Sequence, residues 1–171
     1  GSIVFLSGDA GLGKTRLLDE ALERLAPPLN AQIATASAYA YELNQPYGLS
    51  TRLLRGMLGL AAGDPADAIR ARLDQVLVGA AAEHRRVLAT LLGVAPDGPG
   101  QELAGEAFFT QLIACLDAFW RGRAAAGPVV LALDDLQWAD ASSVAVFSHL
   151  FALSESAPVL FLCAMRRDRR S

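Results

Sequence analysis

The chain has 171 residues, 53% of them apolar and only 19% charged, with a formal net charge of −3. That length carries one sizeable core, the charge offers no global attraction to nucleic acid, and no apolar run approaches the ~18 residues of a membrane span. A soluble, cytoplasmic domain is the expectation, with Cys115 and Cys163, both inside apolar stretches, as buried free thiols rather than a disulfide.

Ile3-Val4-Phe5-Leu6 is a β-rich apolar run of the kind that forms a buried parallel strand. Directly after it, Gly8-Asp9-Ala10-Gly11-Leu12-Gly13-Lys14-Thr15 fits the phosphate-loop pattern G-x-x-x-x-G-K-[ST]. Glycines let successive backbone N–H groups turn inward onto phosphate oxygens. A helix starting near Gly13 adds the partial positive charge of its N-terminus. Of the fifteen lysines and arginines in the chain, only Lys14 is a lysine. It stands where a compact ammonium reaches β- and γ-phosphates and where arginine's planar fork fits poorly. Thr15 supplies a hydroxyl for Mg²⁺, and Arg16 adjoins the loop. A ligand-free glycine-rich turn is the alternative, but it needs neither the Lys-Thr pair nor the flanking strand and helix.

Leu17, Leu18, Ala21, Leu22 and Leu25 fall at helical spacing, and Pro27-Pro28 is expected to end that helix. Ala31 to Tyr39 reads as a second strand weakened by alanines. Asn44 to Gly48 is a turn opening a helix to about Leu60. Gly63-Asp64-Pro65 starts another, with Asp64 as N-cap and Pro65 at the first helical position. A short helical segment carries Val87, Leu88, Leu91 and Leu92. Pro96 to Gly100 is a loop, and Gln101 to Ala126 a long helix whose Phe108, Leu112, Cys115, Leu116 and Phe119 recur with a period of 3.6 as core positions.

Gly127-Pro128 breaks that helix before Val129-Val130-Leu131-Ala132-Leu133, a continuous apolar strand ending in Asp134-Asp135. This is the Walker B pattern, and carboxylates at the C-terminal edge of a parallel strand lie where open α/β sheets bind ligands. Asp134 is the expected Mg²⁺ holder and Asp135 the group that polarises the attacking water, the alternative being that one of the two merely caps a turn. Asp140 reads as the N-cap of the next helix. A last strand, Val159 to Met165, ends in Arg166, a cation placed to sense a γ-phosphate. The arginines at 166–167 and 169–170 otherwise read as a solvated tail.

GDAGLGKTRLL, VVLALDDLQWAD and the closing strand with Arg166 resemble the ATPase domain of the STAND branch of AAA+-like P-loop proteins. That type occurs in large LuxR-type transcriptional regulators, some bacterial kinases and class III nucleotide cyclases. The Asn44–Gly48 stretch, with Pro46-Tyr47, matches a turn common after the family's second strand. The resemblance covers nearly the whole chain. It implies a three-layer α/β/α P-loop NTPase core with parallel strand order 2-3-4-1 and a helical insertion at about residues 49–93. It also implies ATP and Mg²⁺ as ligands, with Gly8 to Arg16 around the nucleotide, Thr15 and Asp134 at the metal, and Lys14, Asp135 and Arg166 at the reacting end, Arg166 as sensor 1.

The chain departs from the family in having Asp135 where conventional AAA+ enzymes have glutamate, and Ala164 where a threonine is frequent. The family's adenine-side segment, fifth strand and helical lid have no counterpart in these residues. The expectation is therefore a piece of a larger multidomain protein, with weak ATP binding of its own. Its implied role is a slowly hydrolysing conformational switch in a signalling or transcriptional regulator. Its implied partners are ATP and ADP, the other domains of its parent chain and a nucleotide-dependent second copy, with neither nucleic acid nor membrane contacted directly. An AAA+ motor and a nucleotide-holding scaffold without hydrolysis are the alternatives.

Overall fold

In the computed structural model, residues 1–95 and 104–167 are described. Four parallel strands, β1 (Ser2–Gly8), β2 (Gln32–Ser37), β3 (Val129–Asp134) and β4 (Val159–Arg166), form one sheet in the order β1-β4-β3-β2. Read from the opposite edge, this is the expected 2-3-4-1. The loop expected at Pro96–Gly100, the start of the long helix at Gln101 and Arg169-Arg170 lie outside the described residues.

Alternation along the central strands divides the interior into two apolar layers. Val130, Ala132 and Leu162 point to one face and pack with Leu18 and Leu22 of α1 (Lys14–Leu29). Val129, Leu131, Leu133, Val159, Phe161 and Cys163 point to the other. There they share one apolar cluster with residues of α2 (Gly48–Leu58), α3 (Ala66–Val76), α4 (Ala82–Leu91), α5 (Gly105–Ala126), α6 (Ala141–Leu150) and the short α7 (Leu153–Ser156). All six residues of β3 are buried, as its unbroken apolar run demands. Helix on one face and helices on the other make the three-layer α/β/α arrangement.

Several expectations are corrected. The first strand is not buried: among the described residues β1 pairs only with β4, lies at the sheet edge, and leaves Val4 and Phe5 exposed. On α1, burial narrows to Leu18 and Leu22, while Leu17 and Leu25 face outward. Pro27-Pro28 does not stop α1, which runs on to Leu29 and ends where Asn30 turns left-handed at φ 47°. Prolines this close to the end remove only N–H donors to Glu23 and Arg24, whose residues are exposed to water. Asp64 does not cap α3. Its Oδ2 accepts the Ala61 N–H at 2.8 Å, closing the preceding turn, and Pro65 stands outside the helix at ψ 156°.

Asp140 does cap α6, accepting the Ser143 N–H at 2.8 Å, and the same Oδ1 accepts the Tyr47 N–H at 2.8 Å. One buried carboxylate therefore ties the turn before α2 to the start of α6. Both cysteines are free and buried; burial pushes the Cys163 thiol up to about 12 and the Cys115 thiol up to about 11, the latter with help from Glu83. Neither ionises at neutral pH. Among the described residues no helix is long and apolar enough to cross a membrane.

Candidate functional site

The loop between β1 and α1 turns twice through conformations that favour glycine, at Gly11 (φ 80°) and Gly13 (φ 78°). The turn delivers Lys14 and Thr15 as the first residues of α1. As in α2 and α6, the first turn of α1 carries no acid. Its positive end is flanked instead by Lys14 and Arg16, so the field there suits an external anion. The Lys14 ammonium donates to the Gly8 carbonyl at 3.1 Å and the Asp9 carbonyl at 2.9 Å. Two of its three N–H donors thus hold it across its own loop.

Parallel pairing of β1, β4 and β3 carries their C-terminal ends to one edge. The Thr15 hydroxyl donates to Asp134 Oδ2 at 2.7 Å, a direct bond between side chains 119 residues apart. Asp134 is 7% exposed, and its Oδ1 accepts the Asp135 N–H at 2.7 Å. Asp135 itself leaves the strand in the left-handed conformation, at φ 54° and ψ 39°. Consecutive strand residues point to opposite faces; this turn breaks that alternation. Non-glycine residues rarely take this conformation, and aspartate tolerates it better than most.

Asp135 lines an open cavity of about 410 Å³ together with Ala10, Gly11, Gly13, Lys14, Thr15, Arg16 and Arg166. Three cations, Lys14, Arg16 and Arg166, face one carboxylate there, a balance suited to a polyphosphate. The Arg167 N–H donates to the Gly8 carbonyl at 3.2 Å, fastening the end of β4 to the start of the loop. The Arg166 guanidinium lies 5.8 Å from the Trp138 ring centroid. Thr15 and Asp134 together offer hard oxygen donors, the chemistry that Mg²⁺ requires.

The sequence matches the family described as AAA ATPase domain over residues 1–162. The chain belongs to that family. No curated protein matches it. Membership in the AAA ATPase domain family implies nucleotide binding and ATPase chemistry, usually with Mg²⁺. It accounts for the phosphate-type loop and the acid-tipped strand meeting at one sheet edge.

Lys14, Thr15, Arg16, Asp135 and Arg166, expected at one site, all line this cavity, and Asp134 joins them through Thr15. Leu12, within the same loop, projects outward instead, 72% exposed. One further residue of this AAA ATPase domain joins the site without matching either motif. Gln137 lies in a helical turn (Leu136–Trp138), donates from Nε2 to Asp135 Oδ1 at 2.7 Å, and accepts the Arg166 N–H on Oε1 at 2.8 Å. Its position inside the Asp-Asp-Leu-Gln-Trp-Ala-Asp string was the one signal in the sequence that could have drawn attention to it.

Proposed function

We propose that this AAA ATPase domain binds Mg-ATP at the Lys14–Asp134 edge, hydrolyses it slowly, and serves as a conformational switch within a signalling or transcriptional regulator. The observation that carries this reading is the Thr15–Asp134 bond of 2.7 Å, which sets a magnesium-type hydroxyl and carboxylate side by side, with Thr15 lining the same cavity as Lys14. Loop N–H groups and Lys14 bind the phosphates. Thr15 and Asp134 would hold Mg²⁺, which when bound neutralises phosphate charge and polarises the phosphoryl oxygens. Asp135 orients and polarises the attacking water, and Arg166 stabilises charge on the terminal phosphate.

Slow turnover is supported by the aspartate at 135, which reaches one methylene less far toward a water than glutamate. The switch role is supported by the linkage of β4's end to both the phosphate loop and the Asp135 turn, so that what binds in the cavity also bears on the backbone around it. The wider regulatory setting rests on the STAND-type resemblance of the Asp-Asp-Leu-Gln-Trp-Ala-Asp string.

Calorimetric titration with ATP, ADP and AMP in the presence of Mg²⁺ checks the reading. ATP should bind more tightly than ADP, and AMP should give no measurable heat of binding, because recognition runs through the β- and γ-phosphates. Equal affinity for AMP and ATP would sink it.

A further inference from the structure

We infer that Gln137 is a positioning residue for hydrolysis, holding the Asp135 carboxylate and coupling it to the strand end that carries Arg166. This rests on the Mg-ATP reading above. The Gln137 carboxamide is engaged on both sides: Nε2 donates to Asp135 Oδ1 at 2.7 Å and Oε1 accepts the Arg166 backbone N–H at 2.8 Å. These partners settle the amide's orientation. A flipped amide would set its NH₂ against the Arg166 N–H and its oxygen against a carboxylate, losing both bonds.

The placement also has a backbone logic. Paired residues of β3 and β4 extend to Leu133–Cys163, after which β3 turns away through Asp135. The Gln137 side chain then supplies the acceptor for the Arg166 N–H that the departing strand no longer provides. The acceptor side of the amide thus completes β4, and its donor side reaches Asp135. One Asp135 oxygen is fixed in this way, and the other is left to act on water. The Arg166 side chain and the Asp135 carboxylate line the same cavity, so they are joined twice, through the ligand space and behind it through Gln137. A shift of β4's end when Arg166 meets a terminal phosphate is transmitted to the carboxylate through a planar amide.

If Gln137 merely completed the strand, only its acceptor side would matter. Three variants separate the roles, with steady-state hydrolysis and ATP affinity measured on each. Gln137→Met loses both bonds and should lower kcat about tenfold or more, with the ATP Kd changed by less than about twofold. Gln137→Glu retains an acceptor for Arg166 but offers Asp135 no donor, and should fall as far as Gln137→Met.

The double variant Asp135→Asn with Gln137→Met should be no slower than Asp135→Asn alone, because Gln137 acts through Asp135. Full activity in Gln137→Glu, additive losses in the double variant, or a loss of affinity and melting temperature in step with kcat would each overturn the inference. A protein that binds Mg-ATP without any hydrolysis would also overturn it while leaving the binding assignment intact. Failure to bind ATP at all would instead remove the parent reading.

Discussion

Asp135→Asn should remove most of the hydrolysis while leaving ATP affinity nearly unchanged. Asparagine preserves the size of the side chain and, like aspartate, tolerates the left-handed conformation that residue 135 adopts at φ 54°. Its carbonyl oxygen can still accept from Gln137, so the local network survives. What it cannot do is take or polarise a proton as a carboxylate does. A positioned acid–base group is worth about 10²–10⁴ in rate, and about a hundredfold loss of kcat is the expected result, close to 2.7 kcal/mol of barrier. Lys14, Thr15 and Asp134 are untouched, so the Kd should stay within about twofold. Hydrolysis at the original rate in Asp135→Asn would show that the base lies elsewhere, and a parallel loss of binding would show that Asp135 contacts the ground state.

Phe161→Ala should carry a large cost in stability. Phe161 is fully buried on β4, registered between Ile3 and Leu131, and sits edge-on to Phe151 with ring centroids 5.0 Å apart. Phe151 in turn meets Phe5 edge-on at 6.0 Å, so the ring anchors a stack that reaches the edge strand bearing the phosphate loop. Truncation removes apolar burial and leaves a cavity that the surrounding sheet cannot close. Such changes cost about 3–5 kcal/mol, against a total stability of about 5–15 kcal/mol for a domain. Urea unfolding should show the midpoint falling with an unchanged slope. A loss below about 1 kcal/mol would mean that the two strands beside β4 can collapse into the space, contrary to the packing described.

The parts of this molecule that sequence reveals are those in which chemistry and local periodicity coincide. The turn from Gly8 to Thr15 is legible because its glycine conformations and the start of α1 are set locally, and β3 because a strand buried on both faces must be apolar throughout. Asp140 is legible because an N-cap acts within three residues, at Ser143. The strand order followed from the resemblance and agrees with the structure. Local rules fail in this chain where a distant neighbour decides the outcome. The apolar residues Ile3 to Leu6 read as a buried strand, yet among the described residues β1 has only β4 beside it. Asp64 has the right residue type for a cap, but the Ala61 N–H behind it is the donor it takes. Gln137 leaves no periodic trace, because it links Asp135 to the backbone of Arg166, 29 residues beyond Gln137 itself.

The same distinction applies within the site. Thr15 and Asp134 each belong to a motif readable alone, and the bond between them requires β1, β4 and β3 to be parallel and ordered as they are. Residue 135 could be identified as the acid after the strand. Its left-handed turn, which brings it to the cavity, is a property of the chain path and of Gln137 holding it there.

The central claim is that the loop around Lys14 binds the phosphates of ATP. Isothermal titration of the protein and its Lys14→Ala variant with Mg-ATP tests this most directly, with circular dichroism confirming that both are folded. Removing a charge-assisted phosphate contact costs about 3 kcal/mol, so the dissociation constant should rise about a hundredfold. A folded Lys14→Ala protein that binds Mg-ATP as tightly as the original would contradict the account.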